Sequence, residues 1–64
     1  MDRGRFERRW SDENDWQPVH QIMVEFVING TRGNADDHIK WMKENPNKEF
    51  IADDDESFRW VNTI

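Results

Sequence analysis

The sequence predicts a small α+β domain of two layers: an antiparallel sheet of three or four strands with one helix packed on a face, in the order (β)βαββ. Three observations lead there. Residues 19–28 place Ile22, Val24, Phe26 and Ile28 at period two, residues 34–45 repeat apolar side chains at helical spacing, and residues 48–63 hold two β-rich runs around an acidic tetrapeptide.

With 64 residues and no cysteine, the chain makes one domain at most and has no disulfide to staple it. A domain of this size buries only about 60% of its unfolded surface. Four Trp and four Phe must therefore supply an unusual share of the core. The lack of cysteine fits a reducing, cytoplasmic setting. No apolar run exceeds three residues, so the expectation is a chain with no membrane span and no signal peptide.

The first segment, 1–17, is polar with isolated aromatics. Phe6, Arg8 and Trp10 alternate as on a strand, and Ser11 to Asp15 reads as a turn, which suggests a short edge strand at about 5–10. Residues 19–28 read as the clearest strand, rich in β-branched and aromatic residues. Ile22, Val24, Phe26 and Ile28 face the core, and Met23 and Val27 lie on the half-solvated side. Asn29 to Gly33 is a turn and Asn34 stands at an N-cap position. Asp36 and Asp37 then occupy the first helical turn, where the helix dipole favours negative charge. Ala35, His38, Ile39 and Met42 give that helix of about eleven residues its apolar face, and Asn45-Pro46 ends it. Strands at 48–52 and 57–63 form a hairpin around Asp53 to Glu56. The chain is thus a single domain, 1–64, with a basic arm at 1–9, ordered or flexible, and an acidic βαββ body at 19–64.

No motif carries a specific chemistry. Gly30 and Gly33 do not complete a dinucleotide-binding fingerprint, no phosphate-loop lysine follows, and Asp36 and Asp37 occupy the place an anion would take. Asp53, Asp55 and Ser57 match the first positions of a calcium loop, but Phe58 stands where glycine is needed and Ile64 where glutamate is needed. His20 and His38 lack a zinc-binding spacing. Neither cofactor nor metal is expected, and the expectation is a protein that is not an enzyme. The stretch Val27-Ile28-Asn29-Gly30-Thr31-Arg32-Gly33 resembles the GXXG loop of KH domains, which clamps single-stranded nucleic acid. The resemblance covers a few residues, because the segment before it reads as strand where that family has a helix, and the chain is too short for the complete architecture.

Charge is sorted along the chain. Residues 1–9 hold Arg3, Arg5, Arg8 and Arg9 against Asp2 and Glu7, and the remainder holds five basic residues against twelve acidic ones. The formal net charge of −5 is therefore an arm at +2 joined to a body at −7. Acidic clusters in the body can imitate a phosphate track. The leading expectation is a small acidic binding protein, of the type phages and mobile elements encode, that regulates or inhibits a larger basic host protein such as a nucleic-acid enzyme. Asp36, Asp37, Asp53, Asp54, Asp55 and Glu56 would meet its cations, with Trp41 or Trp16 as an aromatic anchor. The alternative is a nucleic-acid-binding module acting through Arg3, Arg5, Arg8, Arg9 and Trp10, since arginines interleaved with aromatics pair phosphates and stack bases. A third reading is a structural homodimer with Met23 and Val27 as its seam.

Overall fold

The computed structural model describes residues 3–63 and shows four strands and two helices. In chain order these are β1 (Gly4–Trp10), β2 (Gln17–Val19), α1 (Gln21–Thr31), α2 (Ala35–Glu44), β3 (Phe50–Asp53) and β4 (Glu56–Asn62). The sheet is antiparallel throughout, in the order β2-β1-β4-β3. The α+β class stands, but the sequence-based order is corrected: there are two helices.

The strand expected at the N-terminus is present and lies at the centre of the sheet, where an edge strand was expected. It pairs with β4 from Gly4 opposite Asn62 to Trp10 opposite Glu56. Residues 4–9 therefore belong to the body, and no separate basic arm exists among them; Asp2 and Ile64 lie outside the described residues. Alternation turns Phe6 toward the helices, opposite Trp60, with the rings edge to face and their centroids 4.8 Å apart. Phe58 and Ala52 complete the sheet's half of the core, while Val24, Ile28, Ala35, Ile39 and Met42 supply the helical half. Gly4 is required by this packing, because a Cβ there would fall 2.6 Å from a ring carbon of Trp60 and against the Val61 carbonyl.

The strand predicted over 19–28 is overturned. Residues 21–31 are helical, so Ile22, Val24, Phe26 and Ile28 do not share a face. Val24 and Ile28 are fully buried, whereas Ile22 is 75% and Phe26 74% exposed. The segment is apolar enough to satisfy two periods at once: Val24, Val27 and Ile28 stand at i, i+3 and i+4. Tertiary structure decides between them, since β1 and β4 already fill the centre of the sheet. The strand directly before α1 is the three-residue β2 at the edge, where Pro18 can sit without leaving a ladder bond unmade. At its C-terminus the N–H groups of Arg32 and Gly33 both donate to the Ile28 carbonyl at 2.7 Å. Gly33 has φ +75°, a left-handed conformation that glycine adopts without steric cost.

The second helix and the hairpin match expectation closely. Ala35, Ile39 and Met42 are buried, and His38 is half-buried beside Phe50 with centroids 4.9 Å apart. Asn34 stands before the helix but makes no side-chain cap. Instead Asn29 of α1 accepts the Ala35 N–H through Oδ1 at 3.3 Å, so one helix caps the next. Asp54 and Asp55 form the hairpin turn, and the register shifts between Ile51 and Asp53. Among the described residues no helix is long and apolar enough to cross a membrane.

Helix and strand readings of 21–31 separate cleanly by mutation. Ile28→Ala should cost about 2–5 kcal/mol as a buried truncation, and Ile22→Ala under about 0.5 kcal/mol as a surface change. Urea unfolding of both variants checks this, because a strand would make the two losses equal.

Candidate functional site

Three arginines of the former arm, Arg5, Arg8 and Arg9, are used inside the domain. Arg5, Glu7 and Arg9 point away from the helices, across from Val61, Arg59 and Ser57. Glu7 accepts from Arg5 Nε at 2.9 Å, while Arg59 reaches its other oxygen at 2.7 Å. Arg9 pairs with Glu49 at 2.6 Å and also donates to the Glu13 carbonyl, drawing the β1–β2 loop over this face. Trp16 comes with that loop and lies over the guanidinium groups of Arg59 (4.4 Å) and Arg9 (5.5 Å). On the helix side Arg8 meets Glu56 at 3.4 Å and lies over Trp10 at 4.8 Å. Arg3 is exposed, and its carbonyl accepts the Thr63 N–H.

These pairings set the titration of two carboxyls. Burial pushes Glu7 up, but hydrogen bonds from Arg59 and Arg5 together with their charges outweigh it and hold the group below its usual value of 4.5. Glu49 is also held low, first by its hydrogen bond to Arg9 and then by one to Ser57, against a smaller opposing effect of burial.

The sequence-predicted acidic residues converge. The antiparallel order puts the end of β1, the end of β3 and the start of β4 at one end of the sheet. Ser11 N–H donates to the Asp55 carbonyl at 2.9 Å, which ties the turn holding Asp12 and Glu13 to the hairpin tip. Arg32, just past α1, donates to the Ile51 carbonyl at 3.0 Å and brings the α1–α2 connection to the same end. Asp36 and Asp37 follow in the first turn of α2, after Gly33, Asn34 and Ala35. Asp12, Glu13, Asp53, Asp54 and Asp55 thus share the hairpin end, and Asp36 and Asp37 stand where α2 begins, beside the α1–α2 connection that Arg32 ties to that end; all seven are exposed.

Two of the expected partner-binding residues do not belong there. Glu56 is 8% exposed and paired with Arg8, so it is not part of the accessible tip. Trp16 is half-buried under its two arginines. Trp41 is exposed at 41%, tilted against Phe50 with centroids 6.4 Å apart. It stands one turn beyond Asp37 on the same side of α2.

One surface went unread in the sequence. Ile22, Met23 and Phe26 lie on the outer side of α1, away from Val24 and Ile28. Only a helical reading of 21–31 reveals it, because the strand reading places Ile22 and Phe26 inside. The homodimer seam of Met23 and Val27 is corrected for the same reason: they are not on a sheet, Met23 faces solvent and Val27 packs against the core.

Gly30-Thr31-Arg32-Gly33 does connect two helices, contrary to the strand expected before it. Its surroundings are acidic: a cleft of about 520 Å³ lined by Thr31, Arg32 and His38 is bordered by Asp53 and Asp54. Asp36 and Asp37 stand on the other side of the turn. Among the described residues no group of three or more His, Asp or Glu side chains is placed to hold a metal ion. No family model matches the chain, and no curated protein and no solved structure matches it.

The Glu7 cluster yields a pH prediction. A depressed folded-state pKa gives stability that is present above the unfolded value and lost as pH falls through the folded one. Glu7→Gln should therefore cost about 1.5–3 kcal/mol at pH 7. Its deficit against the parent should shrink as pH drops below about 4.5, measured by urea unfolding across a pH series.

Proposed function

We propose that this is a non-enzymatic binding domain that engages a larger basic protein, in the manner of a regulator or inhibitor, through its acidic end. The gathering of seven exposed carboxylates from three separate chain segments carries this reading. A field of one sign at one end steers encounter with an oppositely charged partner and suppresses wrong ones. Asp36, Asp37, Asp53, Asp54 and Asp55 would face the partner's Lys and Arg, with Trp41 as the nearby aromatic contact. A partner that itself binds nucleic acid fits this charge pattern. A cytoplasmic setting is part of the same proposal.

The second reading, direct nucleic-acid binding, draws support from the helix–GXXG–helix arrangement around Arg32. Electrostatics oppose it. Asp36, Asp37, Asp53 and Asp54 flank the loop, and Arg5, Arg8 and Arg9 already hold carboxylates, so a phosphate chain meets repulsion. Deleting residues 1–9 is no test of the arginines, because it removes a central strand.

Affinity capture from nuclease-treated lysate of the source organism tests the proposal. Asp53→Lys with Asp55→Lys should lower partner recovery about tenfold while the urea midpoint stays within about 0.5 kcal/mol of the parent. Equal recovery by that folded variant would overturn the acidic end as the binding surface. A gel-shift titration with single-stranded DNA at low salt should show no complex, and a salt-sensitive complex lost in Arg32→Ala would favour the second reading.

A further inference from the structure

The outer side of α1 has no role in the fold. Val24, Val27 and Ile28 make the helix's contact with the core, while Ile22 and Phe26 remain about three-quarters exposed and Met23 43% exposed. Gln21–Thr31 contains a single charged residue, Glu25. An exposed helix face is normally made soluble by charge, and a helix apolar on every side is normally covered.

The stripe leads into the acidic end. Asn29, three residues past Phe26, lies on the same side of the helix, and its Oδ1 accepts the Ala35 N–H at 3.3 Å. There Asn29, Asn34, Asp36 and Asp37 line an open cleft of about 360 Å³. Apolar anchors and exposed carboxylates thus form one continuous track.

Charge selects the occupant. A second copy would bring −5 against −5, and residues 21–31 offer no cation to set against Asp36 and Asp37. Arg32, which follows, is turned onto the Ile51 carbonyl. An anionic lipid surface is repelled by the same carboxylates. A helix with apolar residues at i, i+3 or i+4 and Lys or Arg beyond them satisfies both parts of the track. We infer that the outer face of α1 is the docking site for an amphipathic basic helix of the partner protein, with Ile22 and Phe26 as anchors and Asp36 and Asp37 pairing its cations. This rests on the reading of the protein as a binder of a basic partner and adds the apolar centre of the interface.

The test uses the full ¹⁵N-labelled chain and two probes: a Leu/Lys amphipathic helical peptide about four turns long, and oligolysine of equal charge. The Leu/Lys peptide should bind about tenfold more tightly than oligolysine and shift the amides of Ile22, Met23, Phe26 and Asn29. Phe26→Ser should remove most of that margin without moving the urea midpoint, and Asp36→Asn with Asp37→Asn should weaken both probes. Equal binding of the two probes, or a margin that survives Phe26→Ser, overturns the α1 site. In that event oligolysine shifts confined to Asp36, Asp37 and Asp53 to Asp55 leave the acidic-end reading standing. No shift with either probe removes both. A concentration-dependent dimer in ultracentrifugation that Phe26→Ser abolishes gives the face to a second copy and overturns the proposal.

Discussion

The pairing of β1 with β4 is the constraint on which the rest of the domain depends. It joins the two ends of the described chain, Gly4 to Asn62, at the centre of the sheet. Without it the sheet falls into two separate two-stranded ribbons, β2 with β1 and β3 with β4, each marginal alone, and the helices have no floor to pack on. The long sequence separation is tolerable, because loop-closure entropy grows by only about 0.6 kcal/mol for each doubling of loop length. What fixes the register is that both faces are specified. A slip by one residue would carry Phe6 out of the core and turn Glu7 into it, and it would put a side chain where Gly4 makes room for Trp60.

Glu7 shows how charge serves that pairing. A carboxylate this buried is costly to desolvate, and its ion pairs with Arg5 and Arg59 recover the cost without much surplus. Their main effect is to penalise every register in which Glu7 loses those two partners. The asymmetry along the sequence has the same origin. Arg5, Arg8 and Arg9 cluster near the N-terminus because β1 sets these cations beside Glu7, Glu56 and Glu49. Once those pairs are made, the remaining negative charge is displaced toward the turns at one end.

The parts of the fold that could be read in the sequence are those where local signals agree. In α2, Asp36 and Asp37 in the first turn, the Ala35, Ile39 and Met42 spacing and Pro46 all point to one helix, and the boundaries follow. The β3–β4 hairpin has a four-residue acidic link between β-rich runs and was equally legible. Residues 21–31 were not, because apolar side chains on every side fit both periods and the deciding information is that the sheet is filled by strands from the two chain ends. The same error hid the α1 surface. The acidic residues were correctly singled out, but their convergence is topological, and Glu56 was lost to Arg8 because burial cannot be read from a charge run.

A chain this small has few apolar side chains to spend on anything but its core. Burying one the size of Ile or Phe contributes about 1.5–3 kcal/mol, a large fraction of the total stability of a domain near this size limit. Ile22 and Phe26 remain largely in solvent on a helix whose other side is packed as tightly as the centre of the sheet. Folding alone would favour Lys, Glu or Gln at those positions, since they suit a helix equally well and solubilise it. Cost and position argue together that these two side chains answer to a second surface, whose charge the adjoining carboxylates select.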